Sequence, residues 1–171
     1  MITLITGGSG SGKSACAEQA VLDFGDKQRI YLATMFPFDE ESRRRIERHR
    51  RMRAGKNFTT VECYTGLKHM EVPKGSCVLL ECMSNLTANE MFREDGAKEQ
   101  TVSEILEGVR KVDAQAEQFV IVTNEIFSDG MDYDAETVRY QAYLGEINRE
   151  LAKIAARVTE VVYGIPLVWK G

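Results

Sequence analysis

The chain has 171 residues, of which 43% are hydrophobic and 28% are charged, and its formal net charge is −4 at pH 7. This is the composition of a globular protein, which excludes disorder throughout, and the length suits a single domain over residues 1–171. The net negative charge argues against a general nucleic-acid-binding protein, so we expect no nucleic-acid partner.

Short apolar runs alternate with longer amphipathic segments, a pattern typical of an α/β fold with a mostly parallel central sheet flanked by helices. Each apolar run predicts a strand. In chain order these are Ile2–Thr6, Arg29–Ala33, Cys77–Cys82, Phe119–Thr123, Thr159–Tyr163 and Leu167–Lys170.

Helices are predicted between these strands. The acids of Asp39–Glu41 begin a helix that ends near Arg53, and apolar residues recur at helical spacing over Val102–Val112 and Val138–Val158. The stretches Met91–Glu99 and Ser128–Asp134 are predicted to be mobile connections.

The first strand runs directly into a glycine-rich turn that matches the pattern G-x-x-x-x-G-K-S. Between a strand and a helix this pattern predicts a phosphate-binding loop, and therefore a P-loop NTPase-like fold. Backbone N–H groups would surround an anion, the lysine would reach the β- and γ-phosphates, and the serine hydroxyl would ligate Mg²⁺. The predicted nucleotide-binding residues of the loop are Gly7, Gly8, Ser9, Gly10, Ser11, Gly12, Lys13 and Ser14.

An acidic residue that helps to hold the metal is expected at the end of a neighbouring strand. Glu81 ends the run Val78–Glu81 and is the predicted partner of Ser14 at the metal. Asn124 and Glu125 end the next predicted strand, where ligands gather in open α/β sheets, although capping roles explain Asn124 about as well.

Seven arginines fall between Arg43 and Arg53. These arginines have three possible roles. They form a solvated basic face, bind nucleic acid, or bind the oxygens of a triphosphate through their guanidinium groups. His49 lies in its middle, with Arg45 and Arg53 four residues to either side on the same helical face. Nearby positive charge disfavours the imidazolium form, which predicts a neutral, nucleophilic imidazole.

The four cysteines form no C-x-x-C pair and lie near no histidine cluster, so reduced thiols are expected rather than a disulfide framework or a zinc site. The N-terminus carries no signal-peptide pattern, and no apolar run is long enough for a transmembrane helix. We therefore expect a cytoplasmic protein without a membrane span.

In order along the chain, the segments "ITGGSGSGKS", "YLAT", "DEESRRRIERHRRMR", "VEC", "VLLEC", "VTNE" and "GIPLVWK" resemble the adenosylcobinamide kinase/adenosylcobinamide-phosphate guanylyltransferase family of cobalamin biosynthesis. The resemblance covers nearly the whole chain. Its most specific element is the run from Arg45 to Arg53 around His49.

The resemblance implies two activities. An enzyme of this family phosphorylates adenosylcobinamide with ATP or GTP, and then transfers GMP from GTP to adenosylcobinamide phosphate, which gives adenosylcobinamide-GDP and pyrophosphate. It implies that His49 carries GMP as a phosphoramidate, and that the subunits form a homotrimer. Nucleotide contacts carry over onto the phosphate loop and onto Ala33, Thr34, Met35, Arg50, Arg51, Met52, Arg53, Glu62 and Glu81.

The resemblance to the family is weaker after "VTNE", where many relatives have a glycine-rich turn that leads to a proline. This chain keeps Gly130 and Arg139 but has no proline in residues 126–139, a segment that we expect to shape the corrinoid site.

Two other functions remain open on the residues alone. One is a plain P-loop kinase for another small molecule, in which His49 has no role. The other is a nucleotide-dependent regulator that binds nucleic acid through the arginine-rich helix.

Overall fold

Seven strands form one sheet in a computed structural model that describes residues 1–128 and 131–171. The strands are β1 Ile2–Thr6, β2 Arg29–Ala33, β3 Phe58–Glu62, β4 Cys77–Glu81, β5 Gln118–Val122, β6 Arg157–Val162 and β7 Ile165–Lys170. Their order across the sheet is β3-β2-β4-β5-β1-β6-β7. All neighbouring pairs are parallel except the antiparallel hairpin of β6 and β7.

In the described part of the chain, five α-helices connect the strands: α1 Lys13–Leu22, α2 Glu40–Arg53, α3 Met83–Phe92, α4 Thr101–Gln115 and α5 Ala135–Ile154. Two short 3-10 helices lie at Leu67–His69 and Lys98–Gln100. Among residues 1–128 and 131–171, no helix is both long and apolar enough to cross a membrane.

The sheet has a hydrophobic core on each face. On one face, Leu86 of α3, Val109 of α4 and Leu144 of α5 pack in a single cluster with strand residues such as Phe119. On the other face, α1 supplies Ala17 and Val21 to a smaller cluster. The predicted α/β class with a mostly parallel sheet flanked by helices is therefore confirmed.

The structure corrects several details of the prediction. Strand β3 and helix α3 were not predicted, and α3 takes in Met91 and Phe92 of the predicted connection Met91–Glu99. The predicted helix over Val138–Val158 ends at Ile154, and Val158 belongs to β6. After α5 the chain turns at once into β6, because Val158 pairs with Leu4 of the interior strand β1.

Helix α2 begins and ends as predicted. The side chain of Asp39 caps it by accepting a hydrogen bond from the backbone N–H of Ser42 at 2.7 Å, and the Ser42 hydroxyl accepts from the backbone N–H of Asp39. The chain leaves the helix after Arg53 through Ala54 and Gly55.

The predicted connection Ser128–Asp134 includes Asp129 and Gly130, which lie outside the described residues. At its end, the Asp134 carboxylate accepts a hydrogen bond from the backbone N–H of Thr137 and so caps α5.

Candidate active site

A cleft of about 1340 Å³ opens at the carboxyl ends of the parallel strands. The phosphate loop, helix α2 and the ends of β2, β3, β4 and β5 all contribute to its walls. Parallel α/β sheets bind ligands at this edge, and the volume exceeds that of a typical small-ligand pocket. The cleft therefore has room for a nucleotide together with part of a second substrate.

The phosphate loop depends on glycine at two points. A Cβ at Gly7 would lie 2.6 Å from both the Ser11 hydroxyl oxygen and the Val161 carbonyl oxygen. Gly12, the residue before α1, has a φ of 92°, in the left-handed region that favours glycine. The loop can therefore wrap closely around a group at the N-terminus of α1, which is the geometry of an anion site.

Lys13 begins α1 with its side chain folded back across the loop. Its Nζ donates a hydrogen bond to the Gly8 carbonyl oxygen at 2.9 Å. Burial lowers the pKa of Lys13, while the nearby Cys82 and Glu81 act in the opposite direction. The ammonium group is thus held at the mouth of the loop, within reach of phosphate oxygens.

Glu81 is the centre of the polar contacts in the cleft. It ends β4 with only 8% of its side chain exposed, and its Oε1 accepts a hydrogen bond from the hydroxyl of Ser14. Its Oε2 accepts a hydrogen bond from the Tyr31 hydroxyl at 3.1 Å. Burial alone would raise the pKa of this carboxyl group, but the neighbouring His49, Ser14 and Tyr31 outweigh burial and lower it. The carboxylate form is therefore favoured at this buried position.

His49 projects from α2 toward the same carboxylate. Its Nδ1 lies 3.6 Å from Glu81 Oε1, at ion-pair rather than hydrogen-bond distance. The side chain is 16% exposed, and Nδ1 itself is buried without a hydrogen-bond partner among the described residues. The fold therefore places the predicted nucleophile against the residue that also contacts the phosphate loop.

The arginines of α2 lie in two different environments. Arg44, Arg45 and Arg51 pair with glutamates one turn earlier on the exposed side of the helix. Arg53 is only 7% exposed, and its guanidinium carbon lies 3.4 Å from the centre of the Tyr31 ring. Arg45 and Arg53, predicted to flank His49 together, thus have separate partners in this structure.

Most of the predicted site residues line the cleft. Those in its walls are Ser9, Gly10, Ser11, Gly12, Lys13, Ser14, Ala33, Met35, His49, Arg50, Arg51, Met52, Arg53, Glu62 and Glu81. Gly7, Gly8 and Thr34 are not among the lining residues. Thr34 is fully buried, and its hydroxyl donates a hydrogen bond to the Cys82 carbonyl oxygen at 2.8 Å.

Tyr31 is the residue of the site that the sequence reasoning did not single out. It lies in the middle of β2, and its hydroxyl is one of the two that donate to Glu81. The sequence carries one indication of this role, a tyrosine within the otherwise apolar run Ile30–Ala33. Because a buried phenol requires a polar partner, such a tyrosine predicts a polar group beside the strand.

Ser14 and Glu81 also fit a magnesium ion. Together they offer a hydroxyl oxygen and a carboxylate that is held ionised, which are hard donors of the kind that Mg²⁺ prefers. In P-loop proteins the substrate phosphates and water supply the remaining ligands, so two protein donors suffice.

Comparison with known proteins gives a family match over nearly the whole chain. Residues 3–169 match the family described as cobinamide kinase / cobinamide phosphate guanyltransferase. The "Bifunctional adenosylcobalamin biosynthesis protein CobU" of Escherichia coli is 32% identical, over 96% of this chain and 97% of that protein. The "Bifunctional adenosylcobalamin biosynthesis protein CobP" of Pseudomonas aeruginosa is 29% identical, over 100% of this chain and 98% of that protein.

Solved structures show likeness in the fold alone. The flagellar accessory protein FlaH from Methanocaldococcus jannaschii aligns with a TM-score of 0.53 at 9% identity, over 99% of this chain and 77% of that one. An ATPase of a bacterial type III secretion system aligns with a TM-score of 0.53 at 11% identity, over 93% of this chain and 50% of that one. Together with the G-x-x-x-x-G-K-S loop between β1 and α1, this likeness gives the chain a P-loop NTPase-like fold.

Proposed function

This chain belongs to the cobinamide kinase / cobinamide phosphate guanyltransferase family, and on that premise we propose that it performs both reactions of adenosylcobalamin biosynthesis. In the first, it phosphorylates the hydroxyl of adenosylcobinamide with ATP or GTP. In the second, it transfers GMP from GTP to adenosylcobinamide phosphate by way of a covalent intermediate on His49, releasing pyrophosphate.

The single observation that carries the proposal is the contact of His49 with Glu81. The imidazole of the arginine-rich helix and the hydroxyl of Ser14 in the phosphate loop meet on one buried carboxylate. A nucleotide whose phosphates occupy the loop would therefore lie in the same cleft as His49. A plain kinase transfers the phosphoryl group directly to its acceptor and needs no histidine nucleophile, so a histidine in this cleft supports the bifunctional reaction.

In the kinase step the phosphate loop and Lys13 bind and orient the triphosphate. Lys13 sits at the mouth of the loop and can exchange its contact with the Gly8 carbonyl for one with phosphate oxygens. Ser14 and Glu81 would hold Mg²⁺, which neutralises charge on the phosphates as the γ-phosphoryl group is transferred. The oxygen of the acceptor hydroxyl bonds directly to the γ-phosphorus and gives up its proton to solvent, while the bond from that phosphorus to the β–γ bridging oxygen breaks and the nucleoside diphosphate leaves.

In the guanylyl step His49 acts as the nucleophile. A covalent histidine intermediate divides one nucleotidyl transfer into two displacements, each at a positioned phosphorus atom. The exposed arginines of α2, Arg50 among them, border the same cleft and would neutralise the departing pyrophosphate.

We further propose that the enzyme is a cytoplasmic homotrimer. The four cysteines are free thiols, which suits a reducing compartment. The β6–β7 hairpin ends the sheet with large exposed apolar side chains, which is typical of a surface where subunits associate. These side chains are Tyr163, Ile165, Leu167, Val168 and Trp169.

The proposal is tested by incubating the protein with Mg²⁺ and GTP labelled at the α-phosphorus, followed by denaturing gel analysis. We expect an acid-labile, base-stable label on the wild type, which is the behaviour of a phosphoramidate, and no label on His49→Ala. His69→Ala is the matched control, since it removes the only other histidine and should be labelled as strongly as the wild type.

Absence of label on the wild type, with GTP binding shown to be intact, would overturn the covalent mechanism and favour the plain kinase. Label on both the wild type and His49→Ala would place the adduct on a different residue.

A further inference from the structure

We infer that His49 takes the guanylyl group on Nε2, and that Tyr31 is a positioning residue for this step because it holds the Glu81 carboxylate against Nδ1. The inference rests on the proposed function, since it names the atom that the covalent intermediate uses.

The first support is the orientation of the imidazole ring. Nδ1 of His49 is buried and points at Glu81 Oε1, 3.6 Å away, although 16% of the side chain is exposed. A phosphorus atom in the cleft cannot approach a nitrogen that is covered by protein. The exposed part of the ring therefore leaves Nε2 as the nitrogen that can attack.

The second support is electrostatic. A carboxylate beside one imidazole nitrogen favours the tautomer that carries its proton on that nitrogen, which leaves the lone pair on the other. Glu81 lies beside Nδ1, so the lone pair is placed on Nε2. Burial and electrostatics thus select the same nitrogen.

Tyr31 fixes the carboxylate that makes this selection. Its hydroxyl donates to Glu81 Oε2 at 3.1 Å, while Oε1 contacts Ser14 and faces His49. The two oxygens therefore have different partners, and the carboxylate cannot rotate without losing one of them.

The Tyr31 ring is itself held from two sides. The Arg53 guanidinium lies over its face, with the guanidinium carbon 3.4 Å from the ring centre, and the Phe58 ring meets it edge to face with centroids 6.3 Å apart. Since Arg53 ends α2, the same helix supplies both the nucleophile and the group that covers Tyr31.

The covalent step is a substitution at phosphorus. The Nε2 lone pair forms a bond to the α-phosphorus of GTP, and the bond from that phosphorus to the bridging oxygen breaks, so that pyrophosphate leaves with the electron pair. The proton stays on Nδ1, and the Glu81 carboxylate offsets the positive charge on the ring. A phosphate oxygen of adenosylcobinamide phosphate then bonds to phosphorus, and the N–P bond breaks with its electron pair returned to Nε2.

The test determines which nitrogen carries GMP. The wild-type protein labelled with ¹⁵N in its histidines is incubated with Mg²⁺ and GTP, denatured in base and digested, and the His49 peptide is examined by ¹⁵N and ³¹P NMR. We expect the ³¹P coupling on Nε2 only. Coupling on Nδ1 would overturn the inference and leave the covalent mechanism in place, whereas no adduct at all would overturn the proposed function as well.

Tyr31→Phe tests the positioning role, because it keeps the ring under Arg53 and removes only the hydroxyl. We expect the rate of adduct formation at saturating GTP to fall by roughly 10-fold, as when a group that orients a reactive side chain is lost, with a share of the adduct on Nδ1. Tyr140→Phe is the matched control, because that hydroxyl donates to the Ser84 carbonyl and not to Glu81. Equal rates and a pure Nε2 adduct in both variants would contradict the role of Tyr31.

Discussion

Lys13 donates a hydrogen bond from its Nζ to the carbonyl oxygen of Gly8 at 2.9 Å, so the phosphate loop is bridged by its own lysine. The bridge holds the ammonium group at the site where the β- and γ-phosphates are expected to bind. The loop is therefore organised for an anion before the anion arrives, which reduces the ordering cost of binding.

Lys13→Met should weaken GTP binding by about 1.5–3 kcal/mol, or roughly 10- to 150-fold, because a charge-assisted hydrogen bond to phosphate is lost. Isothermal titration calorimetry measures the change. Lys27→Met is a suitable control because Lys27 pairs with Glu117 outside the cleft. Equal affinity in the two variants would exclude Lys13 from phosphate binding.

Replacing glycine by alanine should have opposite effects on the free energy of unfolding at two helical positions, Gly108 and Gly145. A Cβ at Gly108 of α4 would lie 2.7 Å from the backbone nitrogen of Lys68 and 2.8 Å from the Leu67 side chain. Gly108→Ala should therefore lower the free energy of unfolding by about 1–3 kcal/mol, despite the better helix propensity of alanine.

At Gly145 of α5 the nearest atom to a new Cβ is a Phe127 ring carbon 3.7 Å away. Gly145→Ala should thus stabilise the protein by about 0.4–1 kcal/mol, because it restricts the unfolded chain without a clash. Urea unfolding of both variants checks the pair. Stabilisation by Gly108→Ala would contradict the close packing of α4 against the 3-10 helix at Leu67–His69.

The buried carboxylate of Glu18 should make Lys56 important for stability. Glu18 on α1 is 0% exposed and forms an ion pair with Lys56, which follows α2 and is 34% exposed. Lys56→Met leaves this carboxylate without its cation and should cost about 1–3 kcal/mol.

Lys27→Met serves as the control here too, because its ion pair with Glu117 is much more exposed and should contribute less than about 1 kcal/mol. Chemical unfolding compares the two variants. A larger loss for Lys27→Met than for Lys56→Met would contradict the importance of burial.

The cap of α2 should give stability a defined pH dependence. The hydrogen bonds from Ser42 lower the pKa of Asp39 below its ordinary value of 3.8. A carboxyl group with a lowered folded-state pKa contributes stability above its unfolded-state pKa, and the contribution is lost as the pH falls through the folded-state value.

The advantage of the wild type over Asp39→Ala should accordingly be full above about pH 5 and should shrink below pH 3.8. Unfolding curves over a series of pH values measure it. Asp39→Asn keeps a capping oxygen that does not titrate, so its advantage over Asp39→Ala should not fall in this range. A constant wild-type advantage would mean that the pKa of Asp39 is the same in the folded and unfolded states, and would contradict the lowered pKa.

Much of the fold was accessible from the sequence because the buried strands are continuous apolar runs. Strands β4 and β5 are buried at every position and lie in the interior of the sheet, so each gives a nearly uninterrupted run of apolar residues instead of an alternating pattern. The edge strand β3 escaped prediction because its residues are half-buried or exposed, and an edge strand needs no apolar run.

The site was partly predictable for a similar reason. The spacing of Gly7, Gly12, Lys13 and Ser14 depends on local backbone geometry, which a short motif encodes. The contacts of Tyr31 with Glu81, and of Arg53 with Tyr31, join positions that are 50 and 22 residues apart in the chain. Such contacts depend on strand order and on the placement of α2, which no local pattern contains.

If GMP on His49 is an intermediate on the way to product, a chase experiment should show it passing to the acceptor. Protein labelled with α-³²P-GTP is freed of nucleotide and mixed with adenosylcobinamide phosphate, and the label is followed by rapid quench. We expect the label to leave the protein and to appear in adenosylcobinamide-GDP at a rate no slower than turnover. Label that stays on the protein, while product forms only after fresh GTP is added, would contradict it.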